Sequence, residues 1–257
     1  MSNIKKAFIA FLTAGDPTPE CTVRYVLKMA EAGADLIEIG IPFSAVSYTH
    51  LRATAEGVVI QKASLRALKG GMTTDKAFEI VRKVRESSDV PLVFMTYINP
   101  VFHYGYDRFF QKCQELDVSG IILPDLPFEE KEEVEPIAEK YGVSVISMIS
   151  PTSDERIQKI ASGAKGFLYV VSSMGVTGMR SQISTNLKPM IDKIREVTEI
   201  PCAIGFGITT PEQAHKMAEL SDGAIVGSAI VKLIEQYGEK ADQAVYDYVK
   251  EMKEALS

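Results

Sequence analysis

The fold of this chain is decided by the stretch Ala34-Asp35-Leu36-Ile37-Glu38-Ile39-Gly40-Ile41, which stands between Gly33 and Pro42. Its larger apolar residues are leucine and the β-branched isoleucine, and the run is short. A short apolar run of this kind with turn residues at both ends predicts a strand that is buried on both faces, as in a parallel sheet.

One charged residue, Glu38, stands in the middle of this predicted strand. A carboxylate there loses most of its hydration, so the fold must either protonate it or supply hydrogen-bond partners. Two interpretations fit the sequence. Glu38 is a structural residue paired with a lysine or arginine, or it is a barrel-strand glutamate whose carboxyl reaches a cavity and serves general acid–base chemistry.

The composition bounds the class of protein. The chain has 257 residues, of which 46% are hydrophobic and 24% charged, and this length is close to that of a single (β/α)₈ barrel. Its net charge of -6 gives no electrostatic signature for nucleic acid or an anionic membrane. We expect no membrane span, because no apolar run is long enough. The three cysteines, Cys21, Cys113 and Cys202, are odd in number and far apart, which argues against a disulfide framework or a zinc site and fits a cytoplasmic protein.

Short apolar runs alternate with amphipathic stretches along the whole chain. The predicted strands are 7–12, 34–41, 91–97, 120–123, 143–149, 166–171, 202–205 and 224–226. The predicted helices are 19–31, 61–68, 74–87, 107–116, 129–141, 154–161, 187–197, 211–220, one that starts after Gly227, and 243–255. Repeated strand-then-helix order predicts an all-parallel sheet, and about eight strands favour a closed α/β barrel. We therefore expect a (β/α)₈ TIM barrel, with residues 1–257 as a single domain.

Polar and glycine residues collect where the predicted strands end. They are Thr13, Asp16, Glu38, Tyr97, Asn99, Asp125, Ser172, Ser173, residues 205–207, Gly227 and Ser228. The carboxyl ends of the strands of a parallel barrel meet on one face, and active sites of such barrels lie there. The pattern therefore predicts an active site at this face.

Two glycine-bearing strand ends, Gly205-Phe206-Gly207 and Gly227-Ser228, come late in the chain. Glycine lets backbone N–H groups approach an anion closely, and a helix that starts after Gly227 would direct its positive dipole end there. Barrels often bind phosphate after their seventh and eighth strands, so we predict phosphate binding at this position. The run Gly175-Val176-Thr177-Gly178 is a third candidate, in a loop that could hinge over a ligand.

In order along the chain, these residues resemble the tryptophan synthase α chains. The matching stretches are 11–17, 37–44, 55–61, Tyr97, 125–127, 172–178, 205–207 and 227–231, and the resemblance extends over nearly the whole chain. The resemblance implies a lyase that splits indole-3-glycerol phosphate into indole and glyceraldehyde 3-phosphate by a retro-aldol cleavage.

The resemblance also implies roles for particular residues. Glu38 matches the general acid–base residue of the family, and Glu56 matches a second carboxylate that accepts a hydrogen bond from the indole N–H. That second position is more familiar as aspartate, so Glu56 carries an extra methylene group. Tyr169 matches a tyrosine near Glu38, and Thr177 matches a lid threonine that contacts the second carboxylate.

Further positions match the binding surfaces of the family. Phe11, Met95, Tyr97, Ile122 and Ile225 match its indole pocket, although plain barrel core explains the four apolar ones equally well. The expected phosphate-binding residues are Gly178, Gly205, Phe206, Gly207, Gly227 and Ser228. The resemblance implies no cofactor in this chain and a β-subunit partner that holds pyridoxal phosphate, in an α₂β₂ tetramer. The sequence shows no nucleotide fingerprint and no metal-ligand cluster.

Two other functions stay open at this level. One is another phosphosugar barrel, against which the pair Glu38 and Glu56 argues. The other is a barrel that binds ligand and partner without turnover, because residues 45–54, Ala-Val-Ser-Tyr-Thr-His-Leu-Arg-Ala-Thr, depart from the family pattern. This segment is longer than its family counterpart, lacks an Asp-Pro pair, and is similar to translated sequencing adapter. A native loop and a sequence artefact are both open, and resequencing the DNA that encodes 44–56 separates them. We expect its histidine, His50, to be solvated rather than catalytic.

If the segment is native, replacing 45–54 by Asp-Pro-Val is predicted to raise the rate of indole release. Extra loop residues cost only about 1 kcal/mol or less in closure entropy, so the barrel still folds. Catalysis is more sensitive, because a misplacement of about 1 Å can cost roughly a hundredfold in rate. Indole release from indole-3-glycerol phosphate measures the effect, and an unchanged rate would contradict the prediction.

Overall fold

The chain folds into a closed barrel of parallel strands. The computed structural model describes residues 6–43, 57–172, 187–205 and 207–256. The strands pair in chain order, with the last beside the first, which confirms the predicted (β/α)₈ barrel. They are β1 (Ala7–Thr13), β2 (Leu36–Gly40), β3 (Leu92–Met95), β4 (Val118–Ile122), β5 (Ser144–Ile149), β6 (Leu168–Val171), β7 (Cys202–Gly205) and β8 (Gly223–Val226).

Helices follow the strands and cover the outside of the barrel. They are α1 (Pro19–Glu31), α2 (Val58–Lys69), α3 (Thr74–Arg85), α4 (Ile98–Tyr104), α5 (Tyr106–Glu115), α6 (Glu135–Lys140), α7 (Asp154–Ser162), α8 (Lys188–Arg195), α9 (Pro211–Leu220), α10 (Ser228–Tyr237) and α11 (Asp242–Glu254), with 3₁₀ helices at Phe128–Glu133 and Gly238–Lys240. In the part of the chain that the structure describes, no helix is long and apolar enough to cross a membrane.

Alternation along the strands separates two apolar layers. Ile37 and Ile39 of β2 face outward and belong to the large cluster between sheet and helices. Glu38 stands between them in the chain and pairs in register with Phe11 of β1 and Val93 of β3. Val93 belongs to the separate cluster inside the barrel. The side chain of Glu38 therefore faces the barrel interior.

The structure corrects two helix predictions. The single helix predicted over 129–141 is wrong, because a 3₁₀ helix ends at Glu133 and α6 starts at Glu135. Pro136 lies in the first turn of α6, where its missing N–H and its ring prevent a continuous helix through this point. Sequence reasoning also missed α4, whose seven residues are too few to show a clear helical period.

The barrel closes where β8 meets β1, with Gly223 opposite Ala7. A Cβ atom added at Gly223 would lie 2.6 Å from the backbone oxygen of Ala7. Gly223→Ala is therefore predicted to lower the free energy of unfolding by about 1–3 kcal/mol, the usual cost of overpacking. Urea denaturation measures this change.

Gly163 provides the matched control, because its φ is -98° and an added Cβ would meet the ring of Phe128 at 3.6 Å, an ordinary contact. Gly163→Ala is expected to leave the stability unchanged or to raise it slightly. Equal stability of the two variants would contradict the prediction for the β8–β1 seam.

Candidate active site

Glu38 lies at the bottom of a cleft that opens at the carboxyl ends of the strands. Its side chain is 0% exposed, and neither carboxyl oxygen has a hydrogen-bond partner among the residues that the structure describes. The alternative interpretation, a structural ion pair with lysine or arginine, thus has no support in this part of the chain. The structure places the carboxyl of Glu38 against the cavity instead.

Burial changes the acidity of this group. Loss of hydration raises the pKa of Glu38 from its ordinary value of 4.5 to about 8. Tyr169 on β6 lines the same cleft, and burial, together with the charge of Glu38, raises the pKa of its phenol well above 10. At neutral pH both groups carry their protons, so this end of the cleft is uncharged. A carboxyl that holds its proton at neutral pH can serve as a general acid.

The wall of the cleft is mainly apolar. Of the predicted indole-pocket residues, Phe11, Met95 and Ile225 line it. The apolar lining is completed by Ile60, Pro124, Met148 and Ile208. This apolar lining suits a flat apolar group near the carboxyl of Glu38.

Inward-facing glycines make room for the two aromatic rings of the cleft. A Cβ atom at Gly40 would lie 2.7 Å from the ring of Phe11, and one at Gly227 would lie 3.1 Å from it. A Cβ atom at Gly205 would lie 2.7 Å from the hydroxyl oxygen of Tyr169. These glycines therefore allow the rings of Phe11 and Tyr169 to lie close to the inner surface of the barrel.

The mouth of the cleft carries the residues predicted to bind phosphate. Gly207, Gly227 and Ser228 line it, and Thr209 joins them. Gly207 has a φ of +82°, a conformation that favours glycine. Helix α10 begins at Ser228, as predicted, so the positive end of its dipole and its first free N–H groups lie at the cleft. The site is therefore suited to an anion.

Some predicted site residues lie beside the cleft, and others lie outside the described ranges. Tyr97 is 8% exposed at the start of α4, and Ile122 is fully buried inside the barrel, where it pairs with Met95. Gly205 lies under the ring of Tyr169 and does not line the cleft. Several predictions lie outside the described residues. They concern Glu56, Ser173, the run 175–178 with Thr177 and Gly178, Phe206 and the segment 45–54.

Sequence reasoning missed several lining residues, among them Ile60, Met148 and Thr209. Met148 could have been found, because it is two residues after Ile146, and alternate residues of a strand face the same side. Ile60 and Thr209 come from segments after β2 and β7, and nothing in the sequence indicated that they face the cleft. Among the described residues, no group of three or more His, Cys, Asp or Glu side chains is placed to hold a metal ion.

The structure defines a (β/α)₈ barrel with a cleft at the carboxyl ends of its strands, and the buried carboxyl of Glu38 lines that cleft. The family described as "Tryptophan synthase alpha chain" matches residues 1–257. The chain is 50% identical over 252 residues to the tryptophan synthase alpha chain of Lactiplantibacillus plantarum, with 98% of this chain and 92% of that relative covered. The chain belongs to the tryptophan synthase alpha chain family.

Solved structures agree with this assignment. The tryptophan synthase alpha chain of Legionella pneumophila superposes with a TM-score of 0.86 at 37% identity, with 99% of this chain and 92% of that chain covered. A chain of the tryptophan synthase a2b2 complex of Pyrococcus furiosus superposes with a TM-score of 0.82 at 32% identity, with 97% and 98% covered. The shared fold therefore extends over nearly the full length of each chain.

The raised pKa of Glu38 predicts a pH-dependent stability. Between pH 4.5 and 8 the folded chain holds a proton on Glu38 that the unfolded chain has released. The free energy of unfolding therefore falls as pH rises through this window, by about 1.4 kcal/mol for each pH unit from this group. Urea denaturation of the wild type and Glu38→Gln between pH 5.5 and 7.5 isolates the effect, because glutamine does not titrate. Parallel pH profiles of the two proteins would contradict the prediction.

Proposed function

We propose that this chain cleaves indole-3-glycerol phosphate to indole and glyceraldehyde 3-phosphate. The observation that carries the proposal is the carboxyl of Glu38, which is fully buried, has no hydrogen-bond partner among the described residues, and lines an apolar cleft with an anion-suited mouth. Membership of the tryptophan synthase alpha chain family supports the same reaction.

In the proposed reaction, Glu38 acts as general acid and base. Its carboxyl gives a proton to the indole ring carbon that bears the side chain, and the ring nitrogen takes up the developing positive charge. The bond between ring and side chain then breaks, its electron pair returns to the ring, and the adjacent hydroxyl becomes an aldehyde as it loses its proton. The pKa of about 8 keeps Glu38 protonated before the reaction and lets it take up a proton afterwards.

From their match to the family we assign a catalytic role to Glu56 and supporting roles to Tyr169 and Thr177. Glu56 accepts the hydrogen bond of the indole N–H and stabilises its positive charge, and Thr177 contacts Glu56 when the site closes. Tyr169 lies in the same cleft as Glu38 and limits where the indole ring can lie. Two carboxyls with different surroundings can hold different protonation states, which suits one acid and one charged partner.

The two ends of the substrate would bind to different parts of the cleft. We place the indole ring against Phe11, Met95 and Ile225, whose apolar surfaces lie near Glu38. We place the phosphate at the mouth, where the N-terminus of α10 and Gly207 offer N–H groups. Gly178, Gly205, Phe206, Tyr97 and Ile122 keep their predicted roles as further binding residues.

We also propose the partner and the cellular setting. The chain pairs with a tryptophan synthase β chain in an α₂β₂ tetramer, and exposed apolar residues on α2 and α4 are consistent with a protein interface. Phe102 on α4 is 60% exposed and Val58 at the start of α2 is 61% exposed. We assign pyridoxal phosphate to the β chain, as the match to the tryptophan synthase alpha chain family implies. Three buried free cysteines are consistent with a cytoplasmic location.

Glu38→Gln is predicted to lower the rate of indole release by at least about a hundredfold, the scale on which general acid–base catalysis contributes. Glutamine keeps the size and the neutral state of the side chain, so the fold should be retained. The assay is indole release from indole-3-glycerol phosphate, with and without a β chain.

The matched control is Glu254→Gln, an exposed glutamate at the end of α11. This variant is expected to release indole at the wild-type rate. A near-normal rate for Glu38→Gln would rule out the role proposed for Glu38. An inactive wild type that still binds its ligand would favour the barrel without turnover.

A further inference from the structure

Two neighbouring helices, α2 and α10, both begin at the cleft and lie over β1. Ile60 in the first turn of α2 and Ser228 at the start of α10 line the cleft. The distance between these two helix N-termini therefore fixes the width of one side of the cleft.

An apolar contact joins the two helices just below the cleft. Ile60 and Ala63 of α2 meet Val231 of α10 and Phe11 of β1 in a small cluster of buried residues. Residues three or four apart lie on the same face of a helix, so Ile60 and Ala63 form one stripe on α2. Small apolar contacts of this kind hold the two helices together, but they do not fix how far one helix can slide along the other.

A charged contact lies one turn further along. Arg66 of α2 makes two hydrogen bonds to Asp16, from Nε to Oδ1 at 2.8 Å and from Nη2 to Oδ2 at 2.8 Å. Its remaining nitrogen, Nη1, donates to Oε1 of Glu235 on α10, also at 2.8 Å. One planar guanidinium therefore holds the loop after β1 and the helix α10 at the same time.

Burial makes this contact unusual among the ion pairs of the described residues. Asp16 is only 2% exposed, whereas Arg66 is 34% and Glu235 is 38% exposed at the side chain. A carboxylate that is buried to this degree must stay paired, so the bond between Arg66 and Asp16 fixes α2 to the barrel. The bond to Glu235 then fixes α10 relative to α2.

We propose that Arg66 is a positioning residue that sets the spacing of the N-termini of α2 and α10, and so the shape of the cleft for an indole alkyl phosphate. The inference rests on the proposed function, because it concerns how the same cleft binds that class of ligand. Arg66 acts through Ile60 and Ser228, and it does not line the cleft itself.

The inference predicts an effect on binding rather than on chemistry. Glu38 is held by the pairing of β2 with β1 and β3, and none of its backbone partners lies on α2 or α10. A shift of the two helices should therefore weaken ligand binding and leave turnover at saturating substrate largely intact. An effect of stability alone would not change ligand affinity in a fully folded protein.

The test compares Arg66→Met, Arg66→Lys and Glu235→Ala by titration calorimetry with indole-3-propanol phosphate, which has no hydroxyl to react. Arg66→Met should weaken binding at least about tenfold, and its KM for indole-3-glycerol phosphate should rise while kcat stays within about threefold. Arg66→Lys should recover part of the affinity, because one ammonium cannot reproduce the three bonds. Glu235→Ala removes only the bond to α10 and should weaken binding about threefold.

Arg24 supplies the matched control. It pairs with Asp242, from Nε to Oδ1 at 3.0 Å, and joins α1 to α11 away from the cleft lining. Arg24→Met should bind the probe as the wild type does. Circular dichroism establishes that each variant is folded before titration, and Glu235→Ala alone decides the question if Arg66→Met does not fold.

Two results would overturn the inference. One is wild-type affinity in the folded Arg66→Met and Glu235→Ala variants, or in Glu235→Ala alone if Arg66→Met does not fold. The other is an equal loss of affinity in Arg24→Met, which would show that the loss is not specific to the contact of Arg66 with Asp16 and Glu235. Failure of the proposed function has a different signature, because the wild type itself would then release no indole, whether or not it binds the probe.

Discussion

The site depends on keeping water and counter-charges away from one carboxyl. Glu38 is fully buried, and in the described part of the chain no donor reaches either of its oxygens. Most buried polar groups in proteins are hydrogen-bonded, so an unpartnered carboxyl has a cost that the rest of the barrel must offset. Strand pairing on both sides of β2 holds the group in place against that cost. The result is an acid that keeps its proton at neutral pH.

The shape of the cleft depends on glycines, which have no side chain, as much as on the side chains that line it. Gly40 and Gly227 give space to the ring of Phe11, and Gly205 gives space to Tyr169. Larger residues at these positions would push the rings toward the centre of the barrel and fill the space above Glu38. The late glycines of the sequence thus have two physical uses, since they also allow backbone N–H groups to approach an anion.

The sequence predicted the barrel well because its signals are local. Alternating apolar runs and amphipathic stretches predicted the eight strands, and helix α10 begins directly after Gly227 as expected. The sequence could not decide between the two interpretations of Glu38, because a partner for a buried carboxyl can come from any distant part of the chain. The sequence could not predict the contact of Arg66 with Asp16 and Glu235 either. Asp16 lies 50 positions from Arg66 and Glu235 lies 169 positions from it, and no periodic pattern in the sequence links them.

The seam between β1 and β8 also has a consequence for synthesis of the protein. Ala7 meets Gly223, so one edge of the first strand stays open until more than two hundred further residues have been made. At a synthesis rate of about 5–20 residues per second, this edge of β1 stays unpaired for roughly 10–40 s. An unpaired strand edge is a template for aggregation, and long-range pairing is slow. The edge of β1 therefore exposes the nascent chain to aggregation until its eighth strand emerges.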